Sequence, residues 1–137
     1  MHVHSYLFFA GRCEEALDFY GRALGAEVRA MLRFKDSPEP QPEGAVPPGF
    51  EDKVMHAEFQ VGDSVLFGSD GCSPEASGMQ GFGLALSVKD EAEADRVYGA
   101  LGDGGTVVMP LGKTFFSPRF GMVADRFGVT WMVIVPA

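Results

Sequence analysis

Apolar and polar positions along this chain follow two rhythms, and the same succession of rhythms occurs twice. Residues 3–10 are largely apolar and read as a strand. From Gly11 onward the apolar positions fall at Cys13, Ala16, Leu17, Tyr20 and Leu24. That spacing of i, i+3, i+4, i+7 and i+11 lines one face of a helix. Gly25 follows at once and suits the left-handed residue that ends a helix. Residues 27–34 read as a second strand. Residues 54–61 and 64–69, joined at Gly62-Asp63, read as a β-hairpin. Between them, residues 36–49 hold five of the nine prolines, which excludes a regular element. A loop this long predicts a lid or flap.

The second half repeats the order. Residues 82–88 form an apolar strand, and Asp90, with Glu93 three positions on, makes a helix start of the capping-box kind. That helix buries Ala94, Val97, Tyr98 and Leu101. Strands at 106–109, 114–123 and 129–135, with a turn at 125–128, complete the chain. Tyr20-Gly21 recurs 78 positions later as Tyr98-Gly99. The pattern predicts an α+β fold of two βαβββ modules, at about 1–70 and 82–137, with a linker of small residues at 71–81. Repeated units of this size must pack together to bury a core, so one domain over 1–137 is expected.

Composition narrows the partners. A chain of 137 residues, 46% hydrophobic, can form a core without metal or disulfide staples. Its net charge of -8 argues against nucleic acid and against anionic membrane surfaces, both of which require a basic face. No apolar run approaches the ~20 residues of a membrane span. The start, Met1-His-Val-His4, lacks the features of a secretion signal, and a reducing cytoplasm is expected. Cys13 lies on the apolar side of the first helix and reads as a buried small hydrophobe. Cys72 falls in a Gly/Ser/Pro segment with nothing nearby to activate a thiolate.

Several stretches together carry a family likeness. They are Ala10-Gly-Arg-Cys-Glu-Glu-Ala-Leu-Asp-Phe-Tyr20, Leu24-Gly-Ala-Glu27, His56-Ala57, Ser69-Asp70 and Phe127-Gly-Val-Thr-Trp-Met132. The chain resembles the PhnB-like branch of the vicinal oxygen chelate superfamily, the glyoxalase/bleomycin resistance/dioxygenase fold. The resemblance covers essentially the whole chain. It implies two curled sheets forming a cup for a metal or small ligand, and a homodimer. Members of the branch have often carried a demethylubiquinone methyltransferase label. The sequence lacks the Gly-rich strand-to-helix loop that would cradle a nucleoside cofactor.

Metal-dependent members of the superfamily place one ligand near the start of the first strand and one on the last strand of each half. Counting from Phe19-Tyr20 and from Phe127-Gly128, those positions fall at Ser5 and Leu66, and at Gly83 and Met132. None is an ordinary ligand for a hard or borderline divalent ion. No cofactor is therefore expected, and an apolar floor of Leu66 and Met132 suits a hydrophobic ligand. A slip of one residue would instead swing His4 into the cup, and His4, His56 and Glu58 would form an alternative divalent-metal set. The acids Glu14, Glu15 and Asp18, and Glu91, Glu93 and Asp95, read as solvated helix faces.

In the segment Phe115-Phe-Ser-Pro-Arg-Phe120, aromatics and Arg119 suit either a pocket rim, with Arg119 meeting an anionic or carbonyl group, or a dimer contact. Pocket candidates are thus Ser5, Leu66, Gly83, Phe115, Arg119 and Met132. The expected function is metal-independent binding of a small molecule in the cup. A divalent-metal glyoxalase or dioxygenase with displaced ligands and an antibiotic-sequestering protein are the alternatives.

Overall fold

The computed structural model describes residues 1–40, 42–71 and 78–137. Cys72 and much of the expected linker lie outside the described residues. The fold is α+β, with two compact units, Met1–Ala76 and Ser77–Ala137.

The first unit runs β1 (Tyr6–Phe8), α1 (Cys13–Leu24), β2 (Glu27–Arg33), a 3-10 turn (Phe34–Asp36), β3 (Val54–Val61) and β4 (Ser64–Ser69). Its sheet has the order β1-β4-β3-β2, with β1 parallel to β4 and the other pairs antiparallel. The first strand is shorter than the apolar pattern of residues 3–10. The chain turns early because Ala10 and Gly11 both adopt positive φ, 52° and 103°.

Helix α1 then starts without a local cap, since Arg12 at the N-cap makes no side-chain capping bond. Asp70 supplies the cap from the far end of the module. Its Oδ1 accepts from the N–H groups of Gly11 at 2.9 Å and Cys13 at 2.8 Å, and its Oδ2 accepts from Val54 N–H at 2.8 Å. This carboxylate is 1% exposed. Gly25 ends the helix at φ 71°, as its position after the apolar stripe predicts.

Cys13, Ala16, Leu17 and Tyr20 are buried as the stripe requires, joined by Phe19 and Ala23, whereas Leu24 is only half-buried. The Tyr20 ring stacks over Phe59 of β3 at 6.1 Å between centroids. Residues 37–49 hold no helix or strand among those described. The base of this loop is tied by Phe34 N–H to Lys53 O and Lys35 N–H to Glu51 O, and Phe50 is buried beside Gly11.

The second unit runs β5 (Leu84–Ser87), α2 (Glu91–Leu101), β6 (Thr106–Gly112), β7 (Phe120–Ala124) and β8 (Thr130–Ile134). Its sheet order, β5-β8-β7-β6 with β5 parallel to β8, repeats that of the first. Here the cap is local: Asp90 accepts from Glu93 N–H at 2.8 Å. Ala94, Val97 and Leu101 are buried, while Tyr98 is half-buried and donates its hydroxyl proton to Met109 O at 2.9 Å.

Strand β7 is shorter than residues 114–123. Pro118 has no N–H for a ladder, and Ser117 closes a turn by donating to Val135 O at 2.6 Å and accepting from Arg119 N–H at 3.1 Å. Strand β6 is longer than expected and carries Pro110, which an edge strand with irregular register tolerates. At Gly121 a Cβ would lie 2.9 Å from both Leu111 Cα and the Tyr98 ring, so β7 can pass there only without a side chain. Asp125, 4% exposed, holds the β7–β8 turn by accepting from Phe127 N–H, Val129 N–H and the Trp131 indole.

Candidate functional site

Each sheet packs one face on its own helix, and alternation places the remaining side chains on the opposite face. The register between modules is fixed by equivalent hydrogen bonds: Phe9 N–H to Ser69 O at 2.8 Å, and Val88 N–H to Ile134 O at 2.9 Å. Phe9 therefore corresponds to Val88 and Ser69 to Ile134. Stepping back along the strands, Leu66 corresponds to Trp131 and Phe67 to Met132, while His4 corresponds to Gly83.

This corrects two expectations. Leu66 is 7% exposed and pairs with Phe59 on the helix-packed face, so it is core; its neighbour Phe67 stands on the opposite face. Ser5 shares the parity of buried Leu7, and its carbonyl accepts from Phe67 N–H at 2.9 Å. His4, not Ser5, shares the parity of Tyr6 and Phe8. Met132 alternates with buried Trp131 and lies on the face away from α2. Gly83 is exposed.

On the first sheet this face carries a continuous set of rings. Tyr6, Phe67, Glu58 and Ala30 form one cross-strand row. The Tyr6 hydroxyl lies 2.8 Å from His56 Nδ1. Ring centroids are 4.8 Å apart for His4 and Phe67, 5.3 Å for His56 and Phe67, 5.0 Å for Tyr6 and Phe8, and 5.9 Å for Tyr6 and Phe67. His4 Nδ1 meets Val65 O at 3.0 Å. Tyr6 and Phe8 are 40% and 58% exposed. Burial, the largest influence, pushes the Tyr6 phenol above its ordinary pKa. Farther along, Gln60 accepts from the Arg29 guanidinium at 2.7 and 3.0 Å. Sequence reading missed Tyr6 and Phe67; the signal for both was parity with His4 and His56.

The corresponding row of the second sheet is Ala85, Met132, Met122 and Met109. Phe120 pairs with Ile134 in the next row and meets Phe116 edge-on at 5.1 Å. Phe115 is fully exposed and touches Phe116. Arg119 is turned to α2, 3.4 Å from both Glu91 and Asp95, so its guanidinium is engaged by carboxylates and not presented to a ligand from this face.

The alternative metal set fits poorly. His4, His56 and Glu58 do share the face around Phe67, with each imidazole held through Nδ1 by a protein group. Among the described residues no three His, Cys, Asp or Glu side chains are grouped to hold an ion. At the register-corrected positions, His4 is the one nitrogen donor; Phe67 and Gly83 offer none, and Met132 offers a soft thioether.

A separate charged hollow of about 650 Å³ lies beside the α1 start, lined by residues including Glu14, Arg33, Lys35 and Asp52. Four of its charges pair with each other. Arg33 meets Glu14 at 2.7 Å and Lys35 meets Asp52 at 2.7 Å. The hydrogen bonds from these cations are the main cause holding the Glu14 and Asp52 carboxyls below their usual range. Lys53 donates to Gly11 O at 3.0 Å. Cys13 is fully buried, and burial foremost, then the Asp70 charge, pushes its thiol far up. It is core, as expected.

Comparison with known proteins gives consistent results. The chain is 43% identical to protein PA1353 from Pseudomonas aeruginosa, covering 99% of this chain and 98% of that one at a TM-score of 0.86. It is 28% identical to a PhnB protein from Bacillus cereus, covering 98% and 99% at a TM-score of 0.80. Protein YjdN of Escherichia coli K12 is 32% identical over 98% of this chain and 95% of its own length. The fold extends to a glyoxylase/bleomycin resistance protein/dioxygenase domain from Frankia sp. EAN1pec, at 12% identity over 100% and 98% of the chains and a TM-score of 0.65. The family profile described as 3-demethylubiquinone-9 3-methyltransferase matches residues 1–134. The chain belongs to this PhnB-like family, within the glyoxalase/bleomycin resistance/dioxygenase fold.

Proposed function

We propose that this protein binds a small organic molecule on the face of its first sheet around Phe67, and does so without a metal. The observation that carries this reading is the ring cluster of His4, Tyr6, Phe8, His56 and Phe67, with its Tyr6–His56 hydrogen bond. Apolar walls with a few fixed polar atoms are what small-ligand sites are made of. The donor types support the metal-free part, since Phe67 and Met132 stand where the resemblance would put metal ligands.

Methyl transfer, the activity in the family description, finds no support in the helix start. The Gly11 and Cys13 N–H groups at that start are taken by the Asp70 carboxylate and are not open to an anionic cofactor group. Thermal-shift screening of metabolites and antibiotics tests the reading. A ligand should raise the melting temperature of the native chain and lose that effect in Phe67→Ala. Hits that survive Phe67→Ala undiminished overturn the site. Metal content of protein purified without a histidine tag tests the other half; stoichiometric Zn, Mn, Ni or Fe, lost in His56→Ala, overturns the metal-free reading.

A cytoplasmic homodimer belongs to the same proposal. Val107, Val108 and Met109 are 44–57% exposed on the edge strand β6, an apolar edge suited to a second copy. Sedimentation equilibrium would return twice the 14.7 kDa chain mass. Among the described residues no helix is long and apolar enough to cross a membrane.

A further inference from the structure

We infer that the rings around Phe67 select an organic cation, a quaternary ammonium group, with Glu58 supplying the counter-charge. The inference rests on the reading that a small molecule binds this face, and it names the chemical class of that molecule.

Glu58 is the register partner of Phe67, so the two side chains stand next to each other on one face. Their Cβ atoms are then about 5 Å apart. Glu58 is half-buried, and among the described residues no ion pair or side-chain hydrogen bond engages its carboxylate. A partly buried charge without a partner is an unmet cost. On β2 its neighbour is Ala30, which carries no charge. Arg29 lies in the bulge beside Ala30, but it donates to Gln60 at 2.7 and 3.0 Å and lies 3.3 Å from Glu27.

The rings supply a surface for the cation. An aromatic face is negative and attracts a cation within about 6 Å of its centroid. The Phe67 and Tyr6 centroids are 5.9 Å apart, so a single cation can lie within that range of both. The Tyr6–His56 hydrogen bond holds the Tyr6 ring in place, and Tyr6 keeps 40% of its surface exposed.

The same contacts narrow the class. A primary ammonium carries three N–H donors and is strongly hydrated, while the faces of Phe67 and Tyr6 accept hydrogen bonds only weakly. A quaternary ammonium has no N–H to satisfy, and its methyl groups gain by burial against rings. A carboxylate or phosphate ligand would meet Glu58 at close range and be repelled. The net charge of -8 adds long-range attraction for a cation.

The test titrates choline into the full chain beside 3,3-dimethylbutanol, its uncharged isostere with carbon in place of nitrogen, and ethanolamine. Ionic strength is matched, and the buffer is slightly alkaline, where free imidazole is uncharged. NMR shifts of the Tyr6 and Phe67 side chains read the binding. Choline should bind about fivefold more tightly than either companion. Glu58→Gln, nearly isosteric, should cut that preference about threefold; Phe67→Leu, which keeps apolar bulk without a ring, should cut it as well. Melting temperatures check that both variants fold. Equal binding of choline and its isostere overturns the cation class while leaving the ring site standing. Ethanolamine binding as tightly as choline overturns the quaternary assignment, and an undiminished preference in Glu58→Gln overturns the counter-charge. Absence of shifts at Tyr6 and Phe67 with choline overturns the inference as a whole. The site itself falls only if screening hits also survive Phe67→Ala.

Discussion

The same cross-strand row reads Tyr6, Phe67, Glu58, Ala30 in the first module and Ala85, Met132, Met122, Met109 in the second. Strand order, crossover and register are shared, yet one row is aromatic and polar while the other is largely thioether. The helix-packed faces keep their bulk: buried Leu66 matches buried Trp131, and buried Tyr20 of α1 has its counterpart in half-buried Tyr98 of α2. Topology in this chain is thus specified by the face against the helix, leaving the opposite face free to diverge. The modules also cap their helices differently, one through Asp70 from the far end of the module and one through adjacent Asp90.

The capping difference gives the largest expected effect. Asp70→Ala leaves three N–H groups without their acceptor and should cost about 3 kcal/mol or more in urea unfolding. Asp90→Ala removes one exposed local bond and should cost about 1 kcal/mol. Equal losses would show that the long-range clamp has no special weight.

Next comes Gly121, whose place in the row pattern matches Ala57 of the first sheet. Gly121→Ala pushes a methyl into Leu111 and Tyr98 and should destabilise by about 1–3 kcal/mol. A neutral result would mean that β6 can move away from β7. A smaller stability effect, under about 1.5 kcal/mol, is expected from Phe67→Met, which makes the first row resemble the second. That variant should nevertheless lose the ligand-induced rise in melting temperature. If it keeps the rise, the divergence of the rows is not what localises binding.

The smallest effect concerns the arginine that each module sets against its helix, Arg33 on Glu14 and Arg119 on Glu91 and Asp95. The hydrogen bond from Arg33 depresses the Glu14 pKa. Its contribution is therefore fully present above the ordinary carboxylate range and is lost as pH falls through the depressed value. Glu14→Gln should lower the melting temperature slightly at pH 7, and the gap from the native chain should close in acid. The pair is solvent-exposed, so salt should also narrow the gap.

Much of this architecture was legible because helix periodicity and strand alternation agree in both halves. The turn at Gly62-Asp63, the Gly25 cap and the burial of Cys13 followed from local chemistry alone. The candidate site was less legible, by one residue. Three residues lie between Phe9 and Cys13, where two lie between Val88 and Glu91, so counting from the helix shifted the first-strand position from His4 to Ser5. The extra residue lies in the positive-φ turn of Ala10 and Gly11. An unbroken apolar run, Val65-Leu-Phe67, offered no alternation to correct the count. Arg119 was misplaced for a different reason: its partners on α2 are far away in sequence.

The position of Asp70 also orders events in time. Its bonds to Gly11, Cys13 and Val54 span 59, 57 and 16 residues, and it follows directly on the last strand of its module. A chain emerging from the ribosome gathers the first helix, the first sheet and the base of the proline loop before the residue that locks them arrives. The module should turn from protease-sensitive to resistant only when nascent chains extend past Asp70, and chains carrying Asp70→Ala should miss that step.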